Sequence, residues 1–207
     1  MSLHSKNNQG FTLVELLFSI SIVAVILTVV ILNQSTYTDS IALTNLADEI
    51  SSTISQTQVY GISVKELSVG SNDFNTPYGL SFSQRTTPIP SPRNKSYILF
   101  ADQNGNDKYN GTWSCSSECL KKVDISRGNF VNKICIVETS GSEECGNIDR
   151  VDIIFDRPNT EAQIKFFDEE DDEESELNLK GARIEIKSSR GAIRSIIVYN
   201  TGQISVQ

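Results

Sequence analysis

Residues 11–32 read FTLVELLFSISIVAVILTVVIL, and this stretch decides how the chain is organised. It contains one ionisable side chain, Glu15, and is otherwise apolar apart from a few hydroxyl residues. An α-helix of this length would cross the ~30 Å hydrocarbon core of a bilayer. A helix buried in a soluble core is the less favoured interpretation, because such helices rarely stay apolar on every face for about six turns. The stretch therefore predicts a transmembrane helix over residues 11–32.

A cleaved secretory signal is the other alternative for this stretch. Such a signal has an apolar core of about 7–15 residues, followed by a small-residue cleavage site. Here the run is longer, and Gly10 lies before it. We therefore expect the apolar helix to be retained. Lys6 and the terminal amine precede it, which predicts a cytoplasmic N-terminus and an extracytoplasmic remainder of the chain.

An amphipathic pattern follows the transmembrane stretch. No glycine occurs between Gly10 and Gly61, and no proline occurs before Pro77. Apolar residues recur at spacings of three and four, with polar residues between them. The pattern predicts one helix of about 50 residues, whose amphipathic half, residues 33–60, packs on the domain that follows. The predicted apolar stripe consists of Leu43, Leu46, Ala47, Ile50 and Ile54.

Residues 61–207 are predicted to form a β-rich globular domain. Short runs rich in β-branched and aromatic residues alternate with turn sequences such as Pro88-Ile89-Pro90 and Asn104-Gly105-Asn106. Short sequential strands favour an antiparallel sheet or sandwich, so the expected fold class is α+β, with the helix on one sheet face. The predicted strands are Tyr78–Ser83, Lys95–Asp102, Asn132–Glu138, Arg150–Arg157, Ala162–Phe167, Ala182–Ser188, Arg194–Tyr199 and Gln203–Val206.

The formal net charge of −8 comes from one segment. Between residues 168 and 176 every residue except Ser175 is acidic, and the rest of the chain is balanced. Blocks of like charge repel one another, so this segment is predicted to be a solvated hairpin loop between two strands. Cation binding is the alternative. The carboxylates are Asp168, Glu169, Glu170, Asp171, Asp172, Glu173, Glu174 and Glu176.

Four cysteines follow the transmembrane stretch: Cys115, Cys119, Cys135 and Cys145. An extracytoplasmic location favours two disulfides, for which three pairings are possible. We prefer Cys115–Cys119 with Cys135–Cys145, because each pair closes a short local loop. A four-cysteine zinc site is the alternative, but the spacing lacks short paired spacers on both sides.

The sequence does not predict an enzyme. His4 is the only histidine, and cleavage after Gly10 would remove it, so histidine-dependent catalysis and histidine-ligated zinc are excluded. No phosphate-binding glycine loop is present, and a flexible acidic block cannot preorganise an acid–base pair. We expect no small-molecule substrate and no resident cofactor, with calcium as a possible exception.

Oxygen-bearing side chains at Asp102, Asn104 and Asn106 resemble the start of a calcium loop. The glycine is at the fourth position of the segment, not the sixth, and Trp113 stands where a bidentate glutamate would close the loop. A polar turn at a strand end is the alternative, because Asn, Asp and Gly are favoured there.

Basic residues cluster near the C-terminus, and the candidates for contact with DNA phosphates are Arg183, Lys187, Arg190 and Arg194. Solvated strand faces are the simpler interpretation. The nearby acidic run would also repel a polyanion. Nucleic acid is therefore not the favoured partner.

The motif Gly10-Phe11-Thr12-Leu13-Val14-Glu15, followed by the long apolar run, resembles the signal of type IV prepilins and type II secretion pseudopilins. The resemblance implies that residues 1–10 form a leader peptide, that prepilin peptidase cuts between Gly10 and Phe11, and that Phe11 becomes N-methylated. It also implies that Glu15 pairs with the terminal amine of a neighbouring pilin-like subunit in a filament. The expected location is the bacterial inner membrane, before assembly into a pilus or pseudopilus.

Two looser resemblances narrow the family. Residues 96–105 and 189–204 are similar to segments of the GspH/FimT group of minor pseudopilins and minor pilins. That group implies a pilin-like fold, in which a long N-terminal helix packs on antiparallel β-sheets, and a structural role in protein secretion or pilus biogenesis. DNA-binding members used in natural transformation carry an arginine-rich motif near the C-terminus. Here the comparable stretch, Gly191-Ala192-Ile193-Arg194, has one of the expected arginines, which weakens that alternative.

Overall fold

The computed structural model describes residues 10–63, 75–87, 92–174 and 178–207. The chain forms two compact units, of which the first ends at Thr38 and the second runs from Asp39 to Gln207. Helix α1 (Leu13–Ile62) contributes residues to both units, and its length of 50 residues confirms the prediction from the sequence. Within the described ranges the second unit also contains eleven strands and a single 3-10 turn at Arg93–Lys95.

The strands are short and every pairing between them is antiparallel. They form a six-stranded sheet in the order β3-β2-β1-β6-β7-β8 and a five-stranded sheet in the order β11-β10-β9-β4-β5. The predicted α+β class is therefore confirmed. The strands are β1 (Tyr78–Ser83), β2 (Ser96–Ala101), β3 (Cys119–Asp124), β4 (Phe130–Glu138), β5 (Glu143–Glu144), β6 (Arg150–Phe155), β7 (Ala162–Phe167), β8 (Glu173–Glu174), β9 (Leu179–Lys187), β10 (Ile193–Tyr199) and β11 (Ile204–Val206).

The apolar stripe of α1 forms the centre of the main core. All five predicted stripe residues are buried, and Ala47, Ile50 and Ile54 have no exposed surface. They share one cluster with inward-facing residues of both sheets, such as Phe82 in the six-stranded sheet and Ile184 in the five-stranded sheet. Because successive strand residues alternate between faces, each sheet presents every second side chain to this core.

Gly61 allows the end of α1 to approach the six-stranded sheet closely. A Cβ atom at this position would lie 2.3 Å from the carbonyl oxygen of Phe155 in β6 and 2.7 Å from the Cβ of the same residue. Real Cβ atoms do not come this near to a backbone oxygen, so the contact requires glycine here.

A smaller cluster covers the opposite face of the six-stranded sheet. Ile98, Phe100 and Ile154 point away from the main core and pack against Tyr109 and Trp113. The two aromatic residues come from the long segment between β2 and β3. That segment therefore acts as a lid over a sheet face that would otherwise expose apolar surface.

Two features differ from the sequence prediction. Strand β3 was not predicted, because its sequence CLKKVD has little apolar periodicity and its side chains lie at an exposed sheet edge. The acidic segment does not join β7 and β9 in a hairpin, because these two strands belong to different sheets. Instead residues 168–172 form the loop of a shorter hairpin, in which the two-residue strand β8 at Glu173–Glu174 pairs with the end of β7. Strand β9 belongs to the other sheet.

Some predicted features lie outside the described residues. These are the leader up to residue 9, which includes His4 and Lys6, the turn at residues 88–90, and Glu176 of the acidic run.

We predict that Ile50→Ala lowers the free energy of unfolding by about 2–5 kcal/mol, because it leaves a cavity where helix and sheets meet. Ile41→Ala is the matched control: the same substitution on the same helix at a side chain that is 58% exposed should change stability by less than about 0.5 kcal/mol. Urea titration of the full chain in detergent micelles, followed by the fluorescence of Trp113, the single tryptophan, measures both. Equal losses for the two variants would contradict the central place of Ile50 in the core.

Candidate functional site: the amino-terminal signal and the disulfide-bonded domain

Thr12 and Glu15 form a reciprocal hydrogen-bonded pair at the start of α1. The backbone N–H of Glu15 donates to Thr12 Oγ1 at 3.3 Å, and the backbone N–H of Thr12 donates to Glu15 Oε2 at 3.4 Å. The Thr12 hydroxyl also donates to Glu15 Oε2 at 3.2 Å. This is a capping box, which satisfies backbone donors that the first helical turn leaves without partners. Thr12-Leu13-Val14-Glu15 matches its T-x-x-E pattern, so this signal was present in the sequence, although we did not predict the box.

Residues Leu13–Ile31 of α1 have the length and composition of a membrane span. Their mean hydropathy is 2.7, and none of the stretch is buried against other parts of the described chain. Apolar side chains on all sides therefore face outward, as in Leu16, Phe18 and Ile26. Such a surface is stable in lipid and not in water.

Two of the three hydroxyl groups inside this stretch, those of Ser19 and Thr28, have partners on the helix itself. Ser19 Oγ donates to the carbonyl oxygen of Glu15 at 2.9 Å, and Thr28 Oγ1 donates to that of Ala24 at 2.8 Å. These local bonds reduce the cost of placing a hydroxyl group in hydrocarbon, where water is absent. Glu15 thus remains the one ionisable residue in the span.

The structure contains both disulfides of the preferred pairing. Cys115 is joined to Cys119, and Cys135 is joined to Cys145. All four cysteines lie in the described part of the chain, and none is free. Their sulfur atoms are therefore not thiolates and cannot form the alternative zinc site.

Each disulfide holds a different part of the second unit. Cys115–Cys119 ties the lid segment to the start of β3. On the same lid, Trp113 Nε1 donates to Ser96 Oγ at 2.8 Å, and Tyr109 Oη donates to the carbonyl oxygen of Thr112 at 2.7 Å. Burial raises the pKa of Tyr109 to about 12, so this phenol keeps its proton at physiological pH.

Arg183 lies beside the second disulfide. Its guanidinium group is 2.8 Å from a carboxylate oxygen of Glu143 and 3.1 Å from one of Glu185, and it is 3.2 Å from Cys135 Sγ. Among the described residues, Cys135, Glu143 and Cys145 form the one cluster of potential metal ligands. Two of its three members, Cys135 and Cys145, are bonded to each other. The disulfide and the ion pairs of Arg183 therefore link β4, β5 and β9 structurally.

The three calcium candidates lie in a closed turn after β2. Asp102 is 2% exposed, and its carboxylate accepts four backbone N–H groups from residues 104–107 at distances of 2.7–3.4 Å. The Asn104 side-chain amide donates to Asn110 Oδ1 at 3.0 Å. The carboxylate thus serves a polar turn at a strand end, and calcium binding stays a prediction.

The four candidates for DNA contact do not share one surface. Arg183 and Lys187 lie on the outward face of β9, and Arg183 already has two carboxylate partners. Arg194 is directly opposite Ile186, a core residue, and so belongs to the other face of the sheet. Arg190 lies in the turn between β9 and β10 and forms an ion pair with Asp39 at 3.0 Å. This division depends on strand register, which the clustering of basic residues along the sequence does not reveal.

A buried pair on β6 connects the sheet to the acidic segment. Asp152 has no exposed surface; it accepts a hydrogen bond from Ser81 Oγ at 2.5 Å and another from the backbone N–H of Tyr109 at 2.8 Å. The Arg150 guanidinium lies 3.6 Å from Asp152, 3.6 Å from Asp171 and 4.0 Å from the centre of the Phe167 ring. The acidic segment is therefore held by specific contacts, and no signal in the sequence identified them.

We predict that Asp152 makes the protein less stable as pH rises. Burial raises the pKa of its carboxyl group, although Arg150 and two hydrogen bonds act in the opposite direction. The folded state therefore binds this proton more tightly than the unfolded state, whose pKa is near 3.9. The contribution of Asp152 to stability falls as pH rises through the interval between the two values. The asparagine of Asp152→Asn does not titrate.

Urea titrations of the wild type and Asp152→Asn between about pH 4 and pH 7 test this linkage. The stability of the wild type relative to the variant should be higher at the acid end and should decline toward neutral pH. A relative stability that increases with pH would show that the charged carboxylate is favoured in the fold, and would contradict the prediction.

Comparison with protein families identifies the amino-terminal segment. Residues 5–31 match the family model for the prokaryotic N-terminal methylation motif, the signal of type IV pilin-like prepilins. The match covers none of residues 32–207. Searches among curated proteins and among solved structures return no match. The motif supports a pilin or pseudopilin that prepilin peptidase processes, and the apolar helix fits an anchor in the inner membrane.

Proposed function

We propose that this chain is a minor pilin or minor pseudopilin of the GspH/FimT kind, which assembles into a type IV pilus or a type II secretion pseudopilus. Prepilin peptidase removes residues 1–10 and methylates Phe11. The subunit then waits in the inner membrane, with its N-terminus cytoplasmic and residues 61–207 outside the cytoplasm, until it joins the filament. The observation that carries the proposal is the match of residues 5–31 to the methylation motif, together with the apolar span within it that contains Glu15.

Accessibility supports the processing step. Gly10 and Phe11 precede α1 and are exposed, and the Phe11 side chain is 83% exposed. A peptide bond outside a helix presents its backbone to a peptidase without local unfolding. Cleavage there creates a new amine four residues before Glu15, at the same end of the apolar span.

The electrostatics of Glu15 support a role in assembly. A charge within the bilayer is costly unless it has a partner of opposite sign. In the capping box Oε2 receives the donors of Thr12, and no bond to Oε1 occurs among the described residues. The carboxylate can therefore keep its local bonds and still accept the Phe11 amine of a neighbouring subunit, which would select the axial register of the packed helices.

The second unit supplies the surfaces that a filament displays. Its two disulfides support an oxidising location outside the cytoplasm. Its helix stripe is already occupied by its own sheets, so contacts with neighbouring minor subunits or cargo would use the outer sheet faces and loops. We propose no catalytic role for any residue of this unit.

Substitutions of Glu15 and Thr12 separate the charge of the carboxylate from its capping role. Glutamine also closes a capping box, so Glu15→Gln should keep the helix start but remove the charge. Thr12→Val removes the box and keeps the charge. We expect Glu15→Gln and Glu15→Ala to insert into the membrane normally but to lose at least about tenfold in filament incorporation, in line with an unpaired amine in low dielectric. Thr12→Val should lose much less.

The measurement compares the variant in sheared filaments with the variant in membranes by immunoblot. Glu49→Ala is the matched control, because it removes an exposed glutamate from the same helix outside the span. If Glu15→Gln enters filaments at the wild-type level, charge pairing is wrong. If Thr12→Val falls as far as Glu15→Gln, the capping role explains the effect.

A further inference from the structure

Within the described ranges the two sheets have four edge strands, and three of them carry charged side chains. The charged edges are β3, with Lys121 and Lys122, β5, which is Glu143–Glu144, and β8, which is Glu173–Glu174. Charged side chains and very short edge strands oppose pairing with another chain. Strand β11 is the exception, because residues 203–207 read QISVQ and carry no charged side chain. The five-stranded sheet therefore ends in one edge that is not protected by charge.

The outer backbone groups of β11 are open to an added strand. Ser195 and Gln207 exchange two backbone hydrogen bonds, of 2.9 and 2.8 Å, so Gln207 directs its backbone groups toward β10. Because this direction alternates along an antiparallel strand, Ile204 and Val206 direct their N–H and carbonyl groups away from β10. In the part of the chain that the structure describes, these groups have no hydrogen-bond partner. Another strand would satisfy them.

The side chains of the same two residues face the main core, and one of them is incompletely covered. Ile204 is opposite Val198, and Val206 is opposite Ile196; both of these β10 residues lack exposed surface. Ile204 packs against the main core, whereas Val206 is 37% exposed. An added strand that places an aliphatic side chain beside Val206 would remove this apolar surface from water.

The sequence of this edge is nearly the same in both directions. In an antiparallel pair of two copies centred on Ser205, each Ser205 is opposite its own counterpart. Each Ile204 is then opposite Val206 of the other copy, and each Gln203 is opposite Gln207 of the other copy. Every pair joins side chains of the same chemical kind, and none sets like charges opposite each other, which would be destabilising. We infer that β11 binds β11 of a second copy of this chain in a two-fold antiparallel pair.

The other edges do not allow the same pairing. Two copies of β5 or of β8 would set glutamates opposite glutamates, and two copies of β3 would bring lysines together. A second copy is favoured over an unrelated strand because the match extends over all of residues 203–207. The contact uses residues of the second unit alone. It goes beyond the proposed function, and it requires neither cleavage after Gly10 nor the charge of Glu15.

Disulfide trapping in the full chain in detergent micelles tests the pairing. No native cysteine is free, so Ser205→Cys introduces a single reactive thiol. Opposite residues that do not exchange hydrogen bonds have Cα atoms about 4.5 Å apart, which is within the range of a disulfide. Under mild oxidation we expect Ser205→Cys to form a covalent dimer at least about tenfold faster than Thr201→Cys. Thr201 is the control because it is exposed in the turn before β11, and the pairing leaves the two copies of this residue far apart.

Charged substitutions test whether the two strands meet at position 205. Ser205→Lys sets two ammonium groups opposite each other and should weaken dimerisation at least about threefold, measured by light scattering over a range of protein concentrations. Ser205→Glu should do the same. An equimolar mixture of these two variants should recover the dimer, because opposite charges then meet. Gln203→Lys is the matched control, since it adds the same charge to the same strand face but lies opposite the neutral Gln207.

Several results would overturn the inference. One is equal trapping at positions 205 and 201; another is a dimer that Ser205→Lys leaves intact, which would assign dimerisation to the apolar span. Failure of the mixed variants to recover the dimer also contradicts it, as does trapping of Ser205→Cys in membranes on a different pilin-like subunit in place of a second copy. Glu15→Gln should retain trapping at position 205 while it loses filament incorporation, so this contact and the proposed filament role can fail separately.

Discussion

The second unit depends on the burial of one helix stripe between two sheets. Ile50 and Ile54 have no exposed surface, and they touch a core to which both sheets contribute. Neither sheet could remain in water with its inner face uncovered, because each presents large side chains such as Phe82 and Ile184. The helix therefore holds the two sheets in one folded unit, and Gly61 allows it to lie against β6.

The outer face of the six-stranded sheet is also apolar, and it is covered in a different way. No helix covers it in the described structure, so the segment between β2 and β3 folds over it and places Tyr109 and Trp113 on Phe100. A segment of this length loses much conformational entropy when it is ordered. The Cys115–Cys119 disulfide restricts the unfolded chain and so reduces that loss, and the hydrogen bond from the Tyr109 N–H to the buried carboxylate of Asp152 offsets part of it. A disulfide and a hydrogen bond thus support the aromatic contacts of the lid, whereas the main core is an apolar cluster.

Glu15 has one role that the structure shows and a second that we propose. Within the chain it closes a capping box with Thr12, which gives the start of α1 its hydrogen bonds. Between chains it offers a negative charge where cleavage would create a positive one. The first role needs only a side-chain acceptor, whereas the second needs a full charge. A single carboxylate could serve both, because the capping box uses only its Oε2 atom among the described residues.

The sequence by itself determined the long helix, its apolar and amphipathic halves, the α+β class and the positions of most strands. These features follow from local periodicity, and the burial of the predicted stripe on α1 confirms the amphipathic pattern. The prepilin-type signal could also be recognised from the sequence, because its residues are contiguous. Only the tertiary structure decided which strands share a sheet, so the acidic segment forms a short hairpin with β8 and not the predicted hairpin between β7 and β9. It also placed Arg194 and Arg183 on opposite faces and buried Asp152 beside Arg150, because register and long-range pairing are set by packing between segments far apart in the chain.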